Sequence, residues 1–266
     1  MELQDKRQRR TEMDYVKFNR EAWDKKADKG HVWSTPVSRE VIQDAKKGRW
    51  DIVLTPIKPV PRNWFPESLE GKKVLCLASG GGQQGPVLSA AGADVTVFDN
   101  SIQQLRLDEI VAQRDDLKTK TVQGDMKDLS VFEDETFDLI VHPWSNGFVD
   151  TVLPVWKEAY RVLKKGGSLL SGFGNPIEYI FDLKSLNNGE FVVRHTIPYS
   201  DLTSISEEEF MELSSDDGVV FGHTLHDQIQ GQIDAGFLIA GFYEDKGGTA
   251  LDNYIDSAIA TKAIKL

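Results

Sequence analysis

Apolar positions in the middle of the chain come in short blocks, each followed by glycine or an acid and then by a helical rhythm. Val74, Leu75, Cys76, Leu77 and Ala78 form one such block, closed by three consecutive glycines, as a buried parallel strand reads. The pattern predicts a helix over 85–91 and a second apolar strand over 94–98 that ends at Asp99. Ile102, Leu105 and Ile110 then recur at helical spacing and predict a helix over 102–111. Residues 121–123 rise into Gly124, Asp125 and Met126, and Phe137–His142 is strongly apolar; both are predicted strands. Val155, Ala159 and Val162 share one face of a predicted helix over 153–163, which Lys164, Lys165, Gly166 and Gly167 should close with cations and glycine at its negative end. A strand over 168–173 follows. Strand and helix alternate throughout, so the fold class is α/β, Rossmann-like, with a doubly wound and mainly parallel sheet.

The flanks follow other rules. Residues 1–66 carry Tyr15, Phe18, Trp23 and Trp33 in a polar, helical beginning. Pro56, Pro59, Pro61 and Pro66 then deny regular structure, which should leave Val60, Trp64 and Phe65 extended against the sheet or over a pocket mouth. We expect this part to be a cap on a core spanning 67–173. Residues 174–222 read as an insertion in which the Asn187-Asn188-Gly189 turn and a strand over 191–197 predict a hairpin. With the cap it would form a lid; alternatively it thickens the sheet edge or serves a dimer contact. Ser206 and Glu209 have the spacing of a capping box. In the last part, 223–266, Leu225, Ile229 and Ile233 predict a helix over 225–235, followed by strands over 237–243 and 257–266 that complete the sheet.

A net charge of −11 and a pI near 5.0 argue against a nucleic-acid surface, which would carry a basic face. Lys6, Arg7, Arg9 and Arg10 do cluster, but at a chain end where such a run is expected to be solvated. Cys76 is the only cysteine, which excludes an internal disulfide and a cysteine zinc site and suits the cytoplasm; no metal site is expected. The chain starts charged and has no run of eighteen apolar residues, so neither a signal peptide nor a membrane span is expected.

The chemistry begins at Gly80, Gly82 and Gly85, which stand in the order G-x-G-x-x-G between a strand and a helix, with Asp99 closing the next strand. That arrangement predicts a nucleotide at the glycine turn with its ribose on the acid, and it suits NAD as well as other adenosine cofactors. The segments VLCLASGGG, VFDN, QGDM, FDLIVHP and YRVLKKGG, in this order, resemble the class I S-adenosylmethionine-dependent methyltransferases, in particular the bacterial, small-molecule-directed members of methyltransferase type 11. The resemblance is specific over 72–173 and fainter over 223–266. It implies a seven-stranded sheet with a reversed last strand, and transfer of a methyl group from S-adenosylmethionine to a small-molecule acceptor, leaving S-adenosylhomocysteine. By that resemblance Ala78, Ser79, Gly80 and Gly82 hold the methionine part, Asp99 and Asn100 the ribose, and Gly124, Asp125 and Met126 the adenine.

The same resemblance makes His142, at the end of the fourth strand, a cofactor contact and the candidate base. His31, Trp33, Trp144, Tyr199 and His223 are further candidates for the substrate pocket. Two positions depart from the family: Cys76 stands where an acid is usual and Ala78 where a glycine is usual. By the resemblance, some group other than an acid at that position must then meet the methionine ammonium. The fourth-strand loop reads His-Pro-Trp-Ser in place of an Asn-Pro-Pro-Tyr or Asp-Pro-Pro-Tyr signature, which with the acidic charge favours a small acceptor. The competing readings are an NAD(P)-dependent oxidoreductase and a non-catalytic S-adenosylmethionine-binding regulator. Either a monomer or a homodimer suits the sequence.

Overall fold

The computed structural model describes residues 10–266; of the basic N-terminal cluster, Lys6, Arg7 and Arg9 lie outside the described residues. The cap contains helix α1 (Tyr15–Asp28), started by the Asp14 side chain accepting from the Lys17 amide, and helix α2 (Arg39–Ala45), capped in the same way by Ser38. The Pro-rich stretch after α2 crosses one face of the sheet. Trp64 packs against Tyr243 with ring centroids 5.2 Å apart. Leu54 lies so close over Gly172 that a side chain there would run into its carbonyl oxygen.

Next comes the alternating core: β1 (Lys73–Leu77), α3 (Gln84–Ala90), β2 (Asp94–Asp99), α4 (Ile102–Asp115), β3 (Thr119–Gln123), β4 (Phe137–His142), α5 (Leu153–Val162) and β5 (Leu163–Gly174). Along β1 the side chains alternate between layers. Val74 and Cys76 join Val87, Leu88, Leu105 and Val111 under α3 and α4, whereas Leu75 and Leu77 join Val155, Trp156, Ala159 and Val162 under α5. Two expectations are corrected here. On α4, Ile102 and Ile110 are exposed and the buried stripe is Gln104, Leu105, Asp108, Val111 and Ala112. The Lys164 to Gly167 run is not a helix cap. Leu163 already pairs with Phe137, and the register jumps to Leu139 beside Ser168, so this run is a bulge in β5, with Lys164 paired to Asp138 at 3.0 Å.

The insertion holds α6 (Leu183–Asn187), β6 (Tyr199–Ser200), α7 (Asp201–Ser204), α8 (Glu207–Asp217) and β7 (Phe221–Gly222). The expected hairpin over 191–197 does not form: Phe181 and Val193 make a single bridge, Asn187 ends a helix, and Val192 and Val193 stay exposed. The small sheet is instead β6 against β7. The capping box at Ser206 and Glu209 is present at the start of α8. Leu202, Ile205, Phe210, Val219 and Phe221 build a third core with Tyr15 and Phe18 of α1, and the Arg10 guanidinium donates to the carbonyls of Leu202, Ile205 and Ser206. Cap and insertion are therefore one packed unit.

The chain finishes through a π turn (His226–Gln230), α9 (Gly231–Asp234), β8 (Phe237–Asp245) and β9 (Ala258–Lys265). Leu225 and Ile233 face outward here, because the inward face is polar: Gln228, Gly231 and Gln232 are buried. The seven strands stand in the order β3-β2-β1-β4-β5-β9-β8. β1 to β5 are parallel, and β9 runs antiparallel to both neighbours, the reversed last strand expected from the resemblance. The strand order reverses between β1 and β4, and the crevice beyond their carboxyl ends is where an open sheet of this kind binds a ligand.

Candidate functional site

A cavity of about 350 Å³ opens at that reversal, floored by the residues that follow β1, β2, β3 and β4 and roofed by α1. Asp99 and Asp125 face it, as do Ala78, Ser79, Gly80, Asn100, Gly124 and Met126. The roof is fixed at both walls. Asn100 Nδ2 donates to Val16 O at 2.8 Å, the Asp24 carboxylate accepts from Ser101 Oγ and the Gln103 amide, and Asn19 Nδ2 donates to the carbonyls of Phe148 and Val219. Tyr15 joins the same cover to Lys127 and Asp150, just past Met126.

The glycine turn is held by the chain's own carboxylates. Gly80 N–H donates to Asp99 Oδ2 at 2.9 Å; Gly81 and Gly82 N–H both donate to Asp108 Oδ2, at 3.0 and 3.1 Å. Burial raises the Asp99 carboxyl above its ordinary range, against the pull of the Ser101 and Gly80 amides. Three successive amides that a phosphate-binding turn would aim at its ligand are thus satisfied inside the protein. Ala78 and Trp144, both in the cavity lining, hold left-handed backbone with φ of 47° and 44°, and Ser145 Oγ donates to Ala78 O. Such strain in non-glycine residues persists where the surroundings hold it, as at ligand sites.

Of the sequence-predicted residues, His31, Trp33 and Trp144 also line the cavity; Gly82, His142, Tyr199 and His223 do not. Gly82 serves packing, for a side chain there would meet Leu107 O and Pro36 Cβ at 3.0 Å. His142 is fully buried, with Nδ1 2.9 Å from Leu77 O and Nε2 2.6 Å from Asn146 Oδ1, and burial holds its imidazole below the ordinary histidine range. It stands outside the cavity lining with both ring nitrogens engaged, which does not fit the expected base and cofactor contact. It belongs to a buried polar chain in which Asn146 Nδ2 donates to Gln228 Oε1 and Gln232 Nε2 to Gln228 O. His223 is likewise engaged, its Nε2 2.9 Å from Asn146 O, and Tyr199 stacks on Tyr179 while donating to Asp201.

Sequence reasoning expected a cap but did not name the residues of α1 that face the cavity. Val16, Arg20 and Trp23 lie on one helical face and line the cavity, while Tyr15 and Phe18 of the same helix pack on the third core. Arg20 Nε is buried without a hydrogen-bond partner among the described residues, and so is Ser79 Oγ in the same cavity lining. Such orphaned donors in a cavity wall suit an anionic or carbonyl group of a ligand, and Asp99 and Asp125 suit its hydroxyl and amino donors. His31 Nδ1 accepts weakly from the Trp33 amide (3.3 Å), so the neutral ring keeps its proton on Nε2.

The methyltransferase domain family matches residues 75–171 of the chain. The methyltransferase YbaJ of Bacillus subtilis is 56% identical over 252 residues, covering 94% of this chain and 98% of that protein. Geranyl diphosphate C-methyltransferase from Streptomyces coelicolor, solved with magnesium, geranyl diphosphate and S-adenosylhomocysteine, superimposes with a TM-score of 0.60 at 14% identity, over 96% of this chain and 99% of that one. An S-adenosylmethionine-dependent methyltransferase structure from Listeria monocytogenes gives 0.59 at 18% identity, over 77% and 94%. At those identities the two structures speak for the fold alone.

Proposed function

The chain belongs to the class I S-adenosylmethionine-dependent methyltransferases, and on that premise we propose that this cavity seats the cofactor's adenosine between Asp99 and Asp125 and presents its methyl group to a small-molecule acceptor. The observation that carries the assignment is the pairing of those two carboxylates on one cavity floor with glycine-turn amides already consumed by Asp99 and Asp108. An adenosine brings hydroxyl and amino donors and needs no diphosphate cradle, whereas NAD does. The donor set supports the first and disfavours the oxidoreductase reading.

Asp99 would hold the ribose hydroxyls and Asp125 the adenine amino group, with Met126 against the purine. Arg20 and Ser79, whose buried donors lack partners, would take the methionine carboxylate. S-adenosylmethionine, when bound, supplies a methyl group already activated on a sulfonium. The protein's own part is alignment and exclusion of water: α1 covers the floor, and Trp33, Trp144 and Phe148 offer an aromatic wall to the acceptor. No helix among the described residues is long and apolar enough to cross a membrane. We place the reaction in the cytoplasm, where the one buried thiol stays reduced.

Calorimetric titration tests this. Wild-type protein should bind S-adenosylhomocysteine and ignore NAD. Asp99→Ala should weaken S-adenosylhomocysteine by at least roughly tenfold, the worth of one or two hydrogen bonds to a charged group. Retention of wild-type affinity by Asp99→Ala would sink the adenosine placement, and binding without methyl transfer to any member of a broad metabolite panel would point to a regulator.

A further inference from the structure

We propose that Asp108 is the positioning residue of the cofactor turn: its side chain, reaching up from α4, fixes the Gly81 and Gly82 amides and thereby sets the Ala78 to Gly80 wall against which the cofactor lies. The inference rests on the cofactor reading above. Asp108 sits in the middle of the buried stripe of α4, fully buried, and no cation among the described residues pairs with it. An acid in such a place costs several kcal/mol unless its acceptors are used. One oxygen is used twice, by Gly81 at 3.0 Å and Gly82 at 3.1 Å; the other, Oδ1, has no partner. A carboxyl kept at that cost for two consecutive loop amides is there for the loop.

Geometry shows why the turn needs a holder. Gly81 and Gly82 have φ of 119° and 72°, conformations that point both amides back toward the helix. Side chains at these positions would strike Trp33 O at 2.5 Å and Leu107 O at 3.0 Å, so the turn is wedged between α4 and the cap. On its other side Gly80 is drawn to Asp99. The wall carrying Ser79 and Gly80 is thus strung between two acids on different elements. The neighbouring strand position is occupied by Cys76, a buried thiol that burial keeps protonated, so β1 itself brings no acid to the turn.

The test uses the full chain with S-adenosylhomocysteine as probe, and two variants. Asp108→Asn keeps a carbonyl oxygen for both amides and should bind within about threefold of wild type. Asp108→Leu matches the shape without an acceptor and should bind roughly tenfold more weakly, with faster amide exchange at Gly81 and Gly82. A role confined to packing would lower the melting temperature and leave affinity and these two exchange rates unchanged, and that result overturns the inference. If Asp108→Leu does not fold, wild type decides the matter: Gly81 and Gly82 amides that exchange like an open loop mean the bonds are absent. Wild type that fails to bind S-adenosylhomocysteine would instead count against the cofactor reading itself.

Discussion

At the residue scale, the site is governed by where acids are buried. Burial pushes the Asp108 carboxyl up to about 8, opposed by the Gly82 and Gly81 amides and aided by the charge of Asp99. An unfolded aspartate titrates near 3.9. A carboxyl whose folded value is raised contributes stability that is complete below the unfolded value and is lost as pH climbs through the folded one. As pH rises from 5 to 9 the wild type should therefore lose urea stability relative to Asp108→Asn. Some slope remains in the variant because Asp99 is raised in the same direction, while Cys76, the other titratable neighbour, stays neutral across this range. Equal slopes in the two proteins would contradict the placement. Gly124 sets a second requirement: a side chain there would collide with the Phe98 ring, so Gly124→Ala should cost about 1–3 kcal/mol and distort the adenine end of the floor, seen as weaker S-adenosylhomocysteine binding.

At the element scale, α1 belongs to two structures at once. Its outer face completes the third core with Phe210 and Phe221, and its inner face roofs the cavity. Damage to the insertion should thus reach the cofactor without touching it. Phe210, buried beside Phe18 and the Arg10 guanidinium, is the place to look. Phe210→Ala should remove about 3 kcal/mol of local stability, raise amide exchange in α1 and α8, and weaken S-adenosylhomocysteine binding. Unchanged exchange in α1 would separate the two units. The polar inward face of the π turn and α9 is a different device: its side chains are consumed by Asn146 and Thr261, which is why a residue as chemically suggestive as His142 ends in a structural network.

At the scale of the whole molecule, α1 covers one side of the cavity and is packed on the insertion, so a bound cofactor should tighten both. S-adenosylhomocysteine at about a hundredfold excess over its dissociation constant should add about 2.7 kcal/mol of stability, with protection concentrated in α1 and the insertion and little change in α5. Uniform protection would argue against such a cover. The order of strands and helices, the glycine turn and both floor acids were legible in the sequence, because a buried parallel strand must be apolar throughout and must stop at a turn whose residues show their conformation in their type. The stripe of α4 was misread because Asp108 and Gln104 hide a buried face that apolar residues alone would have marked. The hairpin was misread because alternation over 191–197 found no partner strand. Local pattern by itself settles the order of strands and helices in the core and which acids end the strands; only folding decides which polar side chains meet, since the acid serving the turn comes from the next helix and the roof over it from the first.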